Sequence, residues 1–196
     1  MMMRREQAER TREILLDAAA EEFWLHGLGG ARIQDILDRA QMTKGGLYHH
    51  FTGKHELAVA LTEAEATRWP ESTDRVAASG ARGLTALRSF SLELAETLTV
   101  QVRARAVVRI AEELDTNEAH SAFVIWHDFV ILCLQQAIAD GEVADSIPIR
   151  DAATSIIEAL YGVAASPAPM THHTSSPTRV LALWNLLEAG LGVIGR

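Results

Sequence analysis

The chain has 196 residues, 48% of them apolar, and a formal net charge of −8 from 18 Lys and Arg against 26 Asp and Glu. It is long enough to bury a core in one large or two small domains, and its acidity excludes a protein that coats nucleic acid over its whole surface. No apolar run nears the ~20 residues of a membrane helix, the opening Met1-Met-Met-Arg-Arg-Glu lacks a signal peptide's apolar stretch, and a lone Cys133 can form neither an internal disulfide nor a cysteine metal site. The expected setting is the cytoplasm, with no membrane partner.

In chain order, residues 9–26 place Ile14, Leu15, Ala18, Ala19, Phe23 and Trp24 on one side of a helix that Gly27 ends. Arg4, Arg5, Arg10 and Arg12 form either a basic arm for DNA or, with Glu6, Glu9 and Glu13 among them, a solvated tail. Next, Ile33, Ile36, Leu37 and Ala40 recur at i, i+3, i+4 and i+7, the stripe of a two-turn helix. After Ala40-Gln41-Met42, Thr43 offers a side-chain oxygen to the free amides of a second short helix. Two short helices and a tight turn are the helix-turn-helix plan, in which the second helix enters the major groove.

The contents of that second helix suit the role. Lys44 has reach and charge; Tyr48, His49 and His50 carry hydrogen-bonding tips; Leu47 and Phe51 face inward. Gly45 and Gly46 each cost about 1 kcal/mol against alanine in a helix, which favours close approach of another molecule over a purely structural purpose. Lys54 stands at the start of the following helix, where its charge opposes the dipole unless an external anion such as a phosphate offsets it. Between Arg32 and Lys54 there are four Lys or Arg against two Asp, so positive charge is concentrated here.

The run Thr43-Lys-Gly-Gly-Leu-Tyr-His-His-Phe51, followed by Lys54-His-Glu-Leu57, resembles the recognition helix and following helix of the tetracycline-repressor (TetR) family of bacterial transcriptional regulators. Upstream, Thr11-Arg-Glu-Ile-Leu-Leu-Asp-Ala-Ala-Ala20 with Phe23 and Gly27 is similar to that family's first helix. The resemblance covers about the first third of the chain. Two departures stand out: Gly29-Gly30-Ala31-Arg32 replaces the usual Thr or Ser cap of the second helix, and Ala40-Gln41-Met42 replaces a small Ala-Gly turn. Arg32 is read as a phosphate contact instead. The DNA-contact set is then Arg32, Thr43, Lys44, Gly45, Gly46, Tyr48, His49, His50 and Lys54, with Lys44 facing a base edge, guanine by its chemistry.

Beyond Lys54 the pattern stays helical. A helix over 54–69 stops at Pro70, and the polar segment 71–83 reads as a domain boundary. Further helices are expected over 84–99, 103–113, 119–140, 150–164 and 177–193, without strand alternation. The fold class is all-α: an N-terminal three-helix helix-turn-helix DNA-binding domain over 8–68, its helix-turn-helix at about 32–51, and a C-terminal helical ligand-binding and dimerisation domain over 80–196.

Arg105-Ala-Val-Val-Arg-Ile-Ala111, Phe123-Val-Ile-Trp126 and Arg179-Val-Leu-Ala-Leu-Trp184 resemble, more loosely, the gamma-butyrolactone receptors within the TetR family. That resemblance implies a small apolar ligand, a gamma-butyrolactone or a relative, beside Trp126, with Phe123, Val130, Val107, Ile110 and Leu87 as neighbours. Trp126 also reads as an ordinary core aromatic, and Arg105 and Arg109 as surface pairs with Glu112 or Glu113. Family likeness implies a homodimer on a pseudo-palindromic operator, joined by the last two helices through Ile156, Leu160, Val163, Leu183, Trp184 and Leu187, although such stripes can equally close a monomer core.

No enzyme is expected, since the chain has no Gly-x-Ser-x-Gly elbow, phosphate-loop lysine or facing pair of carboxylates. Nor is a cofactor or metal: His120 and His127 lie ~10 Å apart along a helix, and His172 and His173 have no partner at ligand spacing. The rival readings are a TetR-type regulator sensing a drug or metabolite in efflux control and, more remotely, a helical enzyme or binding module without a DNA function.

Overall fold

A computed structural model describes residues 2–111, 113–114, 117–165 and 176–191, without the side chains of 2, 4, 117–123, 164–165 and 176. Ten helices follow one another among them: α1 (Met2–Gly30), α2 (Ile33–Ala40), α3 (Lys44–Tyr48), α4 (Lys54–Ala66), α5 (Pro70–Ala78), α6 (Gly83–Val100), α7 (Val102–Ile110), α8 (Asn117–Ala139), α9 (Ile149–Ala165) and α10 (Ser176–Gly190). They form two units, residues 1–67 with 101–121 and residues 68–100 with 122–196.

In the first unit α1 is the central packing element, in contact with α2, α4 and α7. Of its expected stripe Leu15, Ala18, Ala19 and Phe23 are buried, joined by Leu16 and Ala20, while Ile14 is exposed and Trp24 half-buried. The helix breaks at Gly27, whose φ of 70° and ψ of 175° lie outside the helical region. The carboxylate of Glu113, just past α7, then accepts from the amides of Leu28 at 3.0 Å and Gly29 at 2.7 Å. Glu113 is therefore a cap for the α1–α2 connection rather than a partner for Arg109, and Arg105 instead lies over the ring of Trp24, 5.0 Å from its centroid.

α7 joins this unit, whereas the sequence placed it in the second domain. Ala104, Ala106, Val107 and Ile110 are buried there, and α7 is also tied to α1 by Arg103, whose side chain is 10% exposed. It donates from Nε to Asp17 Oδ1 (2.6 Å), from Nη1 to Glu13 Oε2 (2.8 Å) and from Nη2 to the Glu13 carbonyl (3.0 Å).

The second unit packs α6 against α5, α9 and α10, and α9 against α10. α5 occupies much of the segment read from sequence as a boundary. Pro70 opens that helix instead of stopping the one before it, because a proline at N1 lacks only an amide that would have no helical partner there. Thr73 and Val76 are its buried residues. At the head of α6 the amides of Gly83 and Leu84 reach Gln136 Oε1 (3.2 Å) and Glu142 Oε2 (2.9 Å), which ties α6 to the end of α8. Gly83 has a φ of 54°, and a Cβ there would strike the Glu142 carboxylate, so a side chain is excluded twice over. No helix is long and apolar enough to cross a membrane among the described residues.

Candidate nucleic-acid interface and ligand cavity

α2 rests on its buried Ile36 and Leu37. Its N-cap Arg32 is extended and makes no side-chain cap, as the missing Ser or Thr implied. At the C-terminus Gln41 adopts a left-handed conformation, φ 55° and ψ 42°, while the amide of Met42 returns to Leu37 O at 2.9 Å. The turn therefore has glycine geometry without a glycine. Thr43 is the N-cap of α3, its hydroxyl accepting from Gly46 N at 3.3 Å. Leu47 and Phe51, fully buried or nearly so, clamp the short helix to the core.

That leaves the opposite face of α3 open. Thr43, Lys44, Gly45, Tyr48 and His49 are exposed, as is Arg32, while Gly46, His50 and Lys54 are half-buried. Tyr48 is 57% exposed, so its ring contributes little to the core. A Cβ at Gly45 would meet nothing nearer than Thr43 Oγ1 at 3.9 Å, so nothing within the chain calls for glycine there. At Gly46 a Cβ would press on Met42 Cε at 3.2 Å, which gives that glycine an internal packing reason.

The free positive charge is smaller than the count of cations. Arg39 is bound to the buried carboxylate of Glu22, at 3.0 Å from Nε and 2.7 Å from Nη2. The Lys54 ammonium donates to the carbonyls of Gly29 (2.9 Å) and Ala31 (3.1 Å). An internal partner therefore satisfies the charge that sequence reasoning assigned to an external phosphate, with one of three ammonium donors left over. His50 is held below the ordinary histidine range, first by burial and then by the charges of His49 and Arg12. Glu56 is lowered by the amide and hydroxyl of Thr52, which steady the start of α4.

In the second unit, Trp126 stacks on Trp69, with centroids 4.2 Å apart and planes 26° apart, and stands edge-on to Phe90 at 6.4 Å. Phe90 in turn meets Phe129 at 5.2 Å. Trp126, Val130 and Leu87 are all buried here. Val107 and Ile110, expected beside them, are buried core residues of the first unit. The Phe123 side chain lies outside the described residues, as do His120 and the loop carrying His172 and His173.

A cavity of about 310 Å³ opens one turn further along α8, lined by Ala77, Ala81, Ala86, Phe129, Leu132 and Cys133, with Arg82 and Gln136 as its polar members. None of the sequence-predicted ligand residues whose side chains are described lines it. Phe129, visible in the sequence as part of the same apolar face of α8, links it to the aromatic cluster. Burial pushes the Cys133 thiol up to about 12, so it is an inert apolar wall and no nucleophile.

Three of the expected dimer contacts need correction. Ile156, Leu160 and Trp184 are 1%, 2% and 0% exposed in the single chain, because α9 and α10 close over α6 and over each other. Val163, Leu183 and Leu187 are half-buried. The apolar side chains these helices leave outside are Tyr161 (38%), Leu181 (37%) and Leu186 (73%).

Residues 15–61, from the α1 core stripe through α4, match the model of the bacterial regulatory proteins of the tetR family. The N-terminal segment is a TetR-type DNA-binding domain by that match. Across 179 residues it is 27% identical to the probable HTH-type transcriptional regulator ArpR of Pseudomonas putida, covering 83% of each protein. Among solved structures it is similar to a gamma-butyrolactone receptor, an ArpA-like protein (TM-score 0.79, 24% identity, 92% of this chain and 87% of that one). CprB of Streptomyces coelicolor, solved in complex with its biological operator sequence, is likewise similar (TM-score 0.79, 23% identity, 94% and 90%). At those identities the two structures speak for the fold. The relatives that the chain matches are transcriptional regulators and not enzymes.

Proposed function

We propose that the chain is a ligand-responsive transcriptional repressor that binds a pseudo-palindromic operator as a homodimer and is released by a small apolar molecule of the gamma-butyrolactone type. The observation that carries the DNA half is the open face of α3, where Tyr48, Lys44 and His49 are exposed while Leu47 and Phe51 hold the helix down. Two copies with recognition helices about one turn, ~34 Å, apart would fit successive major grooves. Lys44 faces a base edge; Thr43, Tyr48, His49 and His50 hold phosphates; Arg32 and the remaining Lys54 donor lie at the edge of this set. The dimer forms through α9 and α10, and the exposed Tyr161, Leu181 and Leu186 are the apolar groups it would cover.

The ligand half rests on the cavity beside Phe129. Its volume is at the small end of the roughly 300–1,000 Å³ of small-molecule sites, it is mainly apolar, and Arg82 and Gln136 offer donors to a carbonyl. Such a ligand releases DNA only through its preference for the DNA-free conformation, a coupling of about 1–3 kcal/mol in most such systems. A second reading is a TetR-type regulator sensing a drug or metabolite of another shape, since over most of its length the chain is also similar to ArpR, a regulator whose name carries no lactone.

An electrophoretic mobility shift on the DNA upstream of the chain's own gene, repeated with a gamma-butyrolactone, a butenolide and bulky aromatic compounds, tests both halves. A specific shift abolished by the lactone is the expected result. Release by an aromatic alone would favour the second reading, and the absence of any specific shift would overturn the repressor.

A further inference from the structure

Arg12 lies on α1, in a segment whose arginines read from sequence as an arm or a solvated tail, and the fold gives it a defined place. Its guanidinium carbon lies 5.6 Å from the centroid of the Phe51 ring. That ring is 3% exposed and follows the recognition helix directly. It also neighbours His50, with centroids 6.4 Å apart, and His50 in turn meets His49 edge-on at 5.3 Å. Arg12 is thus set down at the C-terminal end of α3, against an aromatic surface that cannot move without unpacking the core.

Its charge is only loosely paired there. Glu13 Oε1 lies 3.9 Å from Arg12 Nη1, an ion pair beyond hydrogen-bond length, and the other oxygen of Glu13 accepts from the buried Arg103 at 2.8 Å. The Arg12 side chain is 39% exposed. A guanidinium lying on a ring keeps its edge donors free, and its planar fork matches a phosphate.

We infer that Arg12 is a further DNA-contact residue, which Phe51 holds against a backbone phosphate beside the one that His49 and Tyr48 reach. This rests on the DNA-binding reading above. The contact recognises phosphate and not sequence, so it strengthens binding to every duplex while positioning α1 on the backbone.

The test is fluorescence anisotropy of the full chain on its own upstream duplex and on a random duplex of equal length, over a salt series, for wild type, Arg12→Ala, Arg12→Lys and Arg10→Ala. Each phosphate neutralised contributes about 0.9 to the slope of log affinity on log salt. Arg12→Ala should lower that slope by about 0.9 per protomer. Its deficit against wild type should therefore shrink roughly 3-fold per protomer between 50 and 200 mM salt, equally on both duplexes. Arg12→Lys should keep the slope but bind more weakly, and Arg10→Ala, with no ring beneath it, should match wild type.

An Arg12→Ala protein with unchanged affinity and slope overturns the inference. So does one that melts at lower temperature with its slope intact, or an Arg10→Ala protein that loses as much slope. Wild type that binds neither duplex would overturn the DNA-binding reading itself, an outcome distinct from these.

Discussion

The buried guanidinium of Arg103 makes a strong and asymmetric prediction. Burial disfavours its charge, but hydrogen bonds to Asp17 and Glu13, with their charges, outweigh that and hold it above the ordinary arginine range. The two sides of the cluster differ in exposure: the Arg103 side chain is 10% exposed, Glu13 44% and Asp17 64%. In Arg103→Met the apolar stem is kept and the two carboxylates return to water, so their desolvation is recovered. We expect a loss of about 1.5–3 kcal/mol, near the net worth of one charge-assisted hydrogen bond. Removing the anions instead, as Glu13→Gln with Asp17→Asn, leaves a charged guanidinium enclosed with weaker acceptors. That should cost about 3–5 kcal/mol, the range for breaking a buried pair from the side that leaves the charge behind. Urea unfolding followed by circular dichroism compares the two proteins. If Arg103→Met is as destabilising as the double variant, or more so, the ledger is wrong, and α7 is held to α1 by packing around the guanidinium and not by its charge.

Tyr48→Ala should weaken binding to all sequences while changing stability by less than about 0.5 kcal/mol, as expected for an exposed side chain; a melt that falls by several degrees with unchanged DNA affinity would make Tyr48 a core residue. Gln41→Gly should stabilise the fold by up to about 1 kcal/mol in the same urea titration, since a non-glycine residue in the left-handed region costs roughly 1–2 kcal/mol and glycine gives back part of that in unfolded-state entropy. His50 links pH to both stability and binding with opposite signs. Its folded pKa is below 6.5, so the unfolded chain takes up a proton first, and the stability present above about 6.5 is lost as pH falls through the lowered value. A phosphate beside the imidazole, with His49 and Arg12 already facing it, favours the proton, so DNA affinity at matched ionic strength should rise across the same window; affinity that falls with stability would remove His50 from the interface.

Periodicity made the helices legible because it reports burial, and burial is what holds these elements. Ile36, Leu37, Leu47 and Phe51 lie where their spacing placed them, and so do Leu15, Ala18, Ala19 and Phe23 of α1 and the break at Gly27, whereas Ile14 from the same stripe is 41% exposed. α5 was missed because its sequence is polar and small; two buried residues and a proline in the first turn are too faint a signal against Ser and Gly neighbours. The placement of α7 was missed for a different reason. Spacing along the chain does not reveal an ion cluster between residues 13, 17 and 103, and only a three-dimensional pairing shows why an arginine sits among apolar residues there. The same gap separates Ile156, Leu160 and Trp184 from an interface: an apolar stripe says that something covers a face, not whether the cover is the same chain or another.

The cations teach the complementary lesson. Counted along the sequence, four Lys or Arg between Arg32 and Lys54 make a basic patch. In the fold Arg39 neutralises buried Glu22, and Lys54 holds the α1–α2 connection through Gly29 and Ala31. Arg32 and Lys44 remain fully presented there, joined from α1 by Arg12 if the inference above holds. A protein of net charge −8 with so few free cations per copy cannot rest its affinity on counterion release alone. On the function proposed above, neutral hydrogen bonds from Thr43, Tyr48 and His49, and the fit of two recognition helices to one duplex, would supply more of the binding. Those terms are lost on a wrong sequence or a wrong spacing, whereas phosphate attraction is not. A dimer of the kind proposed above would then discriminate between operators while holding non-specific DNA loosely.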